Sequence, residues 1–440
     1  MPNHLLSFLG TGNYLPCRYQ YAGETSSVVT YIQLALLELL KDLQRSDTRV
    51  SIFLTRDARE KHWEPDASNT SSARRLGDLL KEKFPFIDIQ AVLIPEGKNT
   101  EELWQIFTIV FDHLKEGETL YLDVTHSFRS LPLFGLALMN YSRIVKNVRI
   151  NGIYYGAFEV MGPAKEVERI PPECRIAPVF DLGSVYTLME WSTAVHVFLS
   201  TGRAEELSEL VRGNLKPILS DPGKRNLEAI GEQKLADMLR ILSLDLLTNR
   251  GAAIQKGETF LKLQRTFQDL QGKSLNFKPL EPLLSKVQEK IHGFREEDLR
   301  NGYRGVQWCI QHGWVQQGIT QLQETIIAHQ LMFLSEDPAD REKREIVSIV
   351  FGAKGSPLGT ADRGYQEGLK RNQHLTKTIF DHKFCEVAFP PYNQLRDLRN
   401  SINHGGFTEQ TSAIRFKTNL EESFTLLKNR YKETYGEELF

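Results

Sequence analysis

Residues Asn393 to Gly406 read NQLRDLRNSINHGG, and their spacing predicts a helix with one apolar and one polar face. On such a helix Leu395, Leu398 and Ile402 form a buried stripe. Five polar residues share the opposite face, within an arc of about 140° at 3.6 residues per turn, namely Arg396, Arg399, Asn400, Asn403 and His404. The two glycines that follow predict the end of the helix, which places His404 in its last turn.

The polar residues of this face suit chemistry on a phosphodiester. The planar guanidinium of Arg399 would bind phosphate oxygens, and His404 would transfer protons near neutral pH. A bare Arg-x-x-x-x-His spacing is weak evidence, because a solvated helix face has the same composition. The full string Arg-Asn-x-x-x-His followed by glycine is more specific, and no other Arg-x-x-x-x-His occurs in the chain. The looser pair Arg56 and His62 is interpreted as a coincidence, since it has one more intervening residue and follows a strand.

Length and composition indicate an ordinary soluble protein with more than one domain. The 440 residues leave room for two or three domains, and 41% hydrophobic with 25% charged residues is typical of globular proteins. The net charge of −2 excludes a global basic field, so contact with nucleic acid would need a local groove. The four cysteines have no paired spacing, which argues against a zinc site or a disulfide scaffold and fits a cytoplasmic protein. Neither a signal peptide nor a membrane span is predicted, because the longest nearly apolar stretch, Leu131–Met139, is too short.

The first part of the chain, residues 1–183, alternates strand and helix patterns. Apolar runs predict strands at His4–Leu9, Val50–Leu54, Ile87–Ile94, Thr119–Val124 and Val148–Tyr155. Helical spacing between them predicts helices near Thr25–Leu43, Ser68–Lys83, Thr100–Lys115 and Ser130–Val145. This β-α alternation favours an α/β fold with a Rossmann-like, doubly wound parallel sheet, in which ligands bind beyond the carboxyl ends of the strands.

The first predicted strand ends at Gly10-Thr11-Gly12-Asn13-Tyr14, which opens a long loop. Long loops in compact units are usually functional, and glycines let backbone amides approach a ligand. The third glycine of a dinucleotide fingerprint is missing, and the second strand ends in Leu54-Thr55-Arg56 rather than in an acidic residue. A nicotinamide-dependent dehydrogenase is therefore not expected. A tight turn without a ligand is the alternative for this loop.

The fourth predicted strand ends at Asp123-Val124-Thr125-His126-Ser127-Phe128-Arg129, directly before a predicted helix. Hydroxyls, an imidazole and a guanidinium at a helix N-terminus suit the binding of an anion. Two of these residues have a structural alternative, because Asp123 could be a buried acid and His126 could cap the loop.

The second part, residues 184–440, has helical patterns and no strand patterns. Helices are predicted at Tyr186–Leu199, Ala204–Leu219, Leu227–Leu247, Ala253–Leu270, Pro279–His292, Trp308–Leu334 and Phe416–Tyr431. The stretch Trp308–His329 is interpreted as a core helix that packs under the helix carrying Arg399. Gly352–Asp381 is rich in glycine and charge and is interpreted as an inserted excursion, either disordered or folded on oligomerisation.

Three of these motifs, together with a fourth in the last predicted strand of the first part, resemble one family. FLGTGNY, DVTHSFRSLP and YYGAFE (Tyr154 to Glu159) are similar to the motifs of CARF domains, and RNSINHG is similar to the signature of HEPN ribonucleases. The chain therefore resembles the CARF–HEPN ribonucleases of type III CRISPR systems, with the motifs in the same order. The resemblance implies a ligand-sensing CARF domain over residues 1–183 and a helical HEPN region over residues 184–440, with the insertion near 352–381.

The resemblance also implies an activity and its residues. It implies a homodimer, or a higher oligomer of dimers, whose composite HEPN site cuts single-stranded RNA without a metal or other cofactor, with Arg399, Asn400 and His404 as catalytic residues. One His and one Arg per chain fall short of a base, an acid and a cation, and a C2 dimer removes that deficit. The implied activator is a cyclic oligoadenylate, expected to be cyclic tetra-adenylate, bound across two CARF domains. The residues expected to bind it are Gly10, Thr11, Gly12, Asn13, Tyr14, Thr55, Asp123, Thr125, His126, Ser127 and Arg129.

Three other readings stay open on sequence alone. A nucleotide-sensing transcription regulator would need a basic recognition helix, and none with convincing charge is found. A non-catalytic RNA-binding module would be expected to lack the Arg or the His, and both are present. Cleavage of the cyclic ligand by the N-terminal pocket itself would be an additional activity, through Thr125, His126 or Ser127.

Overall fold

The computed structural model describes residues 2–64, 74–126, 131–220, 226–273, 281–355, 362–405, 407 and 412–440. The chain divides into two compact units, Met1–Leu188 and Met189–Phe440. The division falls inside the helix Gly183–Thr201. Among the described residues, no helix is long and apolar enough to cross a membrane.

The first unit is built on an eight-stranded sheet. Its strands, in chain order β1 to β8, are Asn3–Leu9, Arg18–Tyr21, Glu24–Thr25, Arg49–Leu54, Asp88–Leu93, Thr119–Asp123, Arg149–Gly156 and Ile176–Asp181. The spatial order is β3-β2-β8-β7-β6-β1-β4-β5. The five strands from β7 to β5 are parallel, and they are the five that the sequence predicts. The direction of winding reverses between β1 and β6, and ligands bind at such switch points in open α/β sheets.

The sheet is mixed rather than wholly parallel, which corrects one part of the sequence prediction. Strand β8 runs antiparallel to β7, and β3 runs antiparallel to β2. Strands β2 and β3 have only four and two residues, and β8 contains Pro178, so all three lack a clear strand signal. Strand β2 and the start of β3 lie in what the sequence suggested was one long loop after Gly10.

Helices cover both faces of the sheet. Those of the first unit, α1 to α6 in chain order, are Ile32–Leu39, Arg56–Ala58, Leu76–Lys83, Thr100–His113, Leu131–Lys146 and Ala164–Val167, and a π-helical turn at Arg59–Trp63 follows α2. Strand β1 alternates between the layers: Leu5 packs with α1 and α3, and Leu6 packs with α4 and α5. The doubly wound arrangement is therefore confirmed.

In the described part of the second unit, every regular element is a helix. Beginning with the helix that crosses the division, α7 to α19 are Gly183–Thr201, Glu205–Leu219, Leu227–Leu247, Gly251–Lys256, Glu258–Leu270, Glu281–Ile291, Arg300–His312, Val315–Phe333, Arg341–Lys354, Arg363–Arg371, Gln373–Asp381, Lys383–Asn403 and Ala413–Tyr435. Two predicted helices are each divided by a glycine in the left-handed region, Gly257 at φ +69° and Gly313 at φ +70°. The α/β-plus-all-α fold class predicted from the sequence is confirmed.

In the predicted excursion at 352–381, the residues that the structure describes are folded into helices rather than disordered. Helices α16 and α17 pack against α15, and the Tyr365 and Phe380 rings lie 4.8 Å apart. Asp362 and Asn372 cap the two helices through their side chains, a local signal that the composition of the segment obscured. Residues 356–361 of this segment lie outside the described residues.

Candidate functional site

The helix that carries Arg399 and Asn400 is α18, which we call the signature helix. It runs through Pro390 and Pro391, which have no backbone N–H and therefore leave the carbonyls of Glu386 and Val387 without their helical donors. Arg430 of α19 supplies both: its Nη2 donates to the Glu386 oxygen at 2.7 Å and its Nε to the Val387 oxygen at 3.2 Å. The guanidinium thus repairs the helix at the point where two consecutive prolines weaken it.

The two faces of the signature helix differ in exposure as predicted. Leu395 is fully buried and Leu398 is 7% exposed, whereas Asn400 and His404 are exposed and Arg399 is partly exposed. His404 is the capping residue directly after the helix, not a member of the last turn. Gly405, at φ +65°, donates from its amide to the Ile402 oxygen at 2.9 Å and ends the helix. Gly406 lies outside the described residues.

Arg399 is held from a neighbouring helix. Its Nη1 lies 3.4 Å from Oε1 of Glu324 on α14, and the other carboxylate oxygen of Glu324 pairs with Arg344 of α15. The predicted packing of α14 under the signature helix is confirmed, since the Gln323 side chain donates to the main-chain oxygen of Tyr392 at 3.3 Å. Sequence reasoning missed Glu324 and Arg344, because both lie on separate helices and no local pattern links them to Arg399.

In the first unit, an open cleft of about 280 Å³ lies at the carboxyl ends of β1, β4, β5 and β6. Four predicted ligand-binding residues line it together, namely Gly10, Thr11, Thr55 and His126. The cleft is also lined by charged side chains that the sequence did not single out, namely Asp57, Glu96 and Lys98. The ends of β1 and β6, which are the first and fourth strands predicted from the sequence, lie close together because the switch point falls between these two strands.

Asp123 does not lie where a ligand could contact it. Its carboxylate is fully buried, accepts from Ser7 Oγ at 2.6 Å and accepts from the Thr125 amide at 2.9 Å. Burial raises the pKa of Asp123, against the lowering effect of these hydrogen bonds. The hydroxyl of Thr125 in turn accepts from the Gly156 amide at 2.8 Å. Of the two roles considered for Asp123, ligand binding and structural support, the structure favours the second. Its carboxylate is a buried structural acid that fixes the start of the 124–126 loop.

A histidine that the sequence interpretation set aside lies against the Gly10–Tyr14 loop. His62, in the π-helical turn, lies with Nε2 2.8 Å from the Gly12 oxygen. The Tyr14 ring lies between two imidazoles, 4.7 Å from His62 and 4.3 Å from His126, centre to centre. The neighbouring Lys61 donates to the Thr11 oxygen at 2.8 Å and to Asn13 Oδ1 at 2.9 Å. The Arg56–His62 pair is therefore not a second copy of the signature, because His62 contacts the Gly10–Tyr14 loop.

His126 is mostly enclosed. Burial, together with the nearby His62, lowers the pKa of His126 to about 4, so the imidazole is neutral near pH 7. Its Nε2 is buried and has no hydrogen-bond partner within the described part of the chain. Ser127 and Arg129, which the sequence places in the same site, lie outside the described residues.

Comparison with known proteins finds similarity to CRISPR-associated proteins. Residues 187–294 match the family model described as "CRISPR-associated protein MJ1674, second domain". The CRISPR-associated protein MJ1674 of Methanocaldococcus jannaschii is 25% identical over 340 residues, which are 77% of this chain and 45% of that protein. The chain thus spans less than half the length of this curated relative.

One solved structure is similar over nearly the whole chain. Enterococcus italicus Csm6 bound to cyclic hexa-2′-fluoro-hexa-dAMP aligns over 99% of this chain and 95% of that chain, at 12% identity and a TM-score of 0.44.

Proposed function

We propose that this protein is a single-stranded RNA endoribonuclease of type III CRISPR defence, activated by a cyclic oligoadenylate. The observation that carries the proposal is the exposed end of the signature helix, where His404 faces solvent and Arg399 is held by Glu324. An ion-paired guanidinium and an exposed imidazole at the same end of one helix suit the stabilisation of phosphorus-centred charge and the transfer of protons.

The proposed reaction uses no metal. A base removes the proton of a 2′-hydroxyl, whose oxygen attacks the adjacent phosphorus, and an acid protonates the departing 5′-oxygen. Arg399 would bind the phosphate oxygens, and His404 would act as base or acid. Asn400, exposed one residue along the helix, would orient the substrate backbone or the guanidinium.

A homodimer would complete this set. Each chain supplies one His404 and one Arg399, and base and acid are required on opposite sides of the phosphorus. A two-fold contact between signature helices would present the exposed face twice, because an isologous interface repeats each residue. The RNA would then cross the dimer axis.

The cleft of the first unit is the proposed receptor for the activator. Gly10, Thr11 and Thr55 present small polar groups at the switch point, and Lys98, which pairs with Glu96 at 2.5 Å, lies at the rim of the cleft. A symmetric ring of adenylates fits a pocket made of two such clefts, one from each protomer. The support for this ligand is the resemblance of the three N-terminal motifs to CARF domains, together with the convergence of the first two motifs on one cleft.

The decisive experiment measures cleavage of end-labelled single-stranded RNA by the purified protein, with and without cyclic tetra-adenylate and with EDTA present. We expect activator-dependent cleavage that persists in EDTA and leaves 2′,3′-cyclic phosphate and 5′-hydroxyl ends. Products with 5′-phosphate, or strict dependence on Mg²⁺, would contradict the proposed chemistry. Titration with cyclic hexa-adenylate in parallel identifies the ring size.

A further inference from the structure

We propose that Glu324 is a positioning residue for Arg399 and that Arg344 anchors Glu324 in turn. This inference rests on the proposed ribonuclease function and adds two residues that the family motifs do not name. The contact joins three helices: Glu324 lies on α14, Arg344 on α15 and Arg399 on α18.

Arg344 is the fixed end of this chain of contacts. Its Nη1 donates to the Pro338 oxygen at 2.6 Å, and its Nη2 donates to the Glu324 main-chain oxygen at 3.3 Å as well as to the Glu324 carboxylate. These bonds hold the guanidinium to the backbone of two segments. The carboxylate of Glu324 is therefore held by a cation that is itself hydrogen-bonded to the main chain.

Arg399 has far less to hold it. Among the described residues its ion-pair partner is Glu324, and its Nε is buried without a hydrogen-bond partner. A long arginine side chain loses rotamer entropy when it is fixed. Without Glu324, the guanidinium would have to be ordered by the RNA itself, at the moment when it should already be in place.

The charges of this group remain suitable for binding a phosphate. A single Glu–Arg pair would be neutral and would compete with an anion for the guanidinium. Two guanidiniums share one carboxylate here, so the group keeps a net charge of +1. The side chains of Glu324 and Arg399 are 40% and 32% exposed, so a phosphate can approach without displacing the carboxylate.

The test is a double-mutant cycle in the full-length protein at saturating cyclic tetra-adenylate. Glu324→Ala should lower kcat by about 10- to 100-fold and change KM for RNA by less than about twofold, as expected when a substrate-contacting group is misplaced. Glu324→Gln, which keeps the acceptor but not the charge, should be intermediate. In the Arg399→Ala background, Glu324→Ala should have almost no further effect, because the two changes remove the same interaction.

A matched control separates positioning from stability. Glu345→Gln removes the carboxylate that pairs with Arg371, an ion pair of similar exposure between α15 and α16, and should leave kcat unchanged. Wild-type kcat in Glu324→Ala, or effects that add fully to those of Arg399→Ala, would overturn the proposal. So would a loss of kcat that only parallels a loss of thermal stability.

A readout without RNA keeps the proposal distinct from the proposed function. In protein labelled with ¹⁵N at arginine Nε, the Arg399 signal is identified by its loss in Arg399→Lys. This signal should shift and narrow towards that of a mobile side chain in Glu324→Ala and stay unchanged in Glu345→Gln. If the wild-type protein cleaves no RNA, the ribonuclease function fails, and this signal alone decides whether Glu324 positions Arg399.

Discussion

At the scale of single residues, His404 and Arg399 should be indispensable for RNA cleavage. Replacing either by alanine should lower the rate by at least about a hundredfold, the contribution expected of a general acid or base. Asn400→Ala should be milder. Binding of cyclic tetra-adenylate, measured by calorimetry, should be unchanged in all three, because these residues belong to the other compact unit.

Arg396→Ala is the control for that series. Arg396 lies on the same helix, but its Nε pairs with the adjacent Asp397 at 3.4 Å rather than with Glu324. Cleavage within about twofold of wild type is expected for this variant, since exposed ion pairs contribute little. Near-normal cleavage by His404→Ala would remove the signature helix from the mechanism.

A second prediction at this scale concerns a buried ionic group at the N-terminal ends of β1, β4 and β6. Glu118 is fully buried, accepts from Arg49 Nη1 at 2.8 Å and lies 3.0 Å from His4 Nδ1. Burial alone would raise the pKa of Glu118, but hydrogen bonds from His4 and the Lys115 amide and the charge of Arg49 outweigh it, so that pKa is lowered. Burial lowers the pKa of His4, although Glu118 opposes the shift.

Both shifts have the same consequence for stability. A group whose pKa is lowered by folding stabilises the protein above its unfolded pKa, and that contribution is lost as pH falls through the folded pKa. Stability should therefore decline below about pH 6.5 through His4 and further below about pH 4.5 through Glu118. Glu118→Gln should lower the free energy of unfolding by about 3–5 kcal/mol at pH 7.5. The decline that begins below about pH 6.5 should persist and extend to lower pH in this variant, because Glu118 no longer opposes the lowering of the His4 pKa. Urea titrations between pH 7.5 and pH 4 measure both, and loss of this decline in the variant would contradict the assignment.

At the scale of elements, the signature helix should depend on Arg430. Arg430→Met leaves the carbonyls of Glu386 and Val387 without donors, at a cost of about 1–3 kcal/mol each if no water replaces the guanidinium. Urea unfolding measures the loss. Arg415→Met, an exposed arginine on the same helix, should stay within about 0.5 kcal/mol of wild type. Equal stability of the two variants would show that the Pro390–Pro391 step needs no support from α19.

The elements themselves show which features a sequence can predict. The five parallel strands and the amphipathic signature helix follow from short-range patterns, and the structure confirms them. Strand β8 was missed because Pro178 interrupts its pattern. Helix α16 was missed because the many charged residues and glycines of the segment obscured Asp362 as the capping residue. Glu324 and Arg430 could not be predicted, since they lie 75 and at least 43 residues away from their partners in the sequence.

At the scale of the whole molecule, the proposed division of work between the two units makes a quantitative prediction. A ligand can favour the active arrangement only by its difference in affinity between inactive and active states. Substitutions in the cleft of the first unit should therefore weaken activation and leave the chemistry intact. His126→Ala and Lys98→Ala change residues that line this cleft, and Lys81→Ala, an exposed lysine of α3, is the control.

A cleft variant that loses about 2.8 kcal/mol of binding should need about a hundredfold more cyclic tetra-adenylate for half-maximal activity. At saturation it should approach the wild-type rate, because Arg399 and His404 are untouched. A dose–response series with labelled RNA measures midpoint and maximal rate separately. Variants that keep the wild-type midpoint and lose maximal rate instead would mean that the first unit is not the sensor, and the activator would have to be sought elsewhere on the chain.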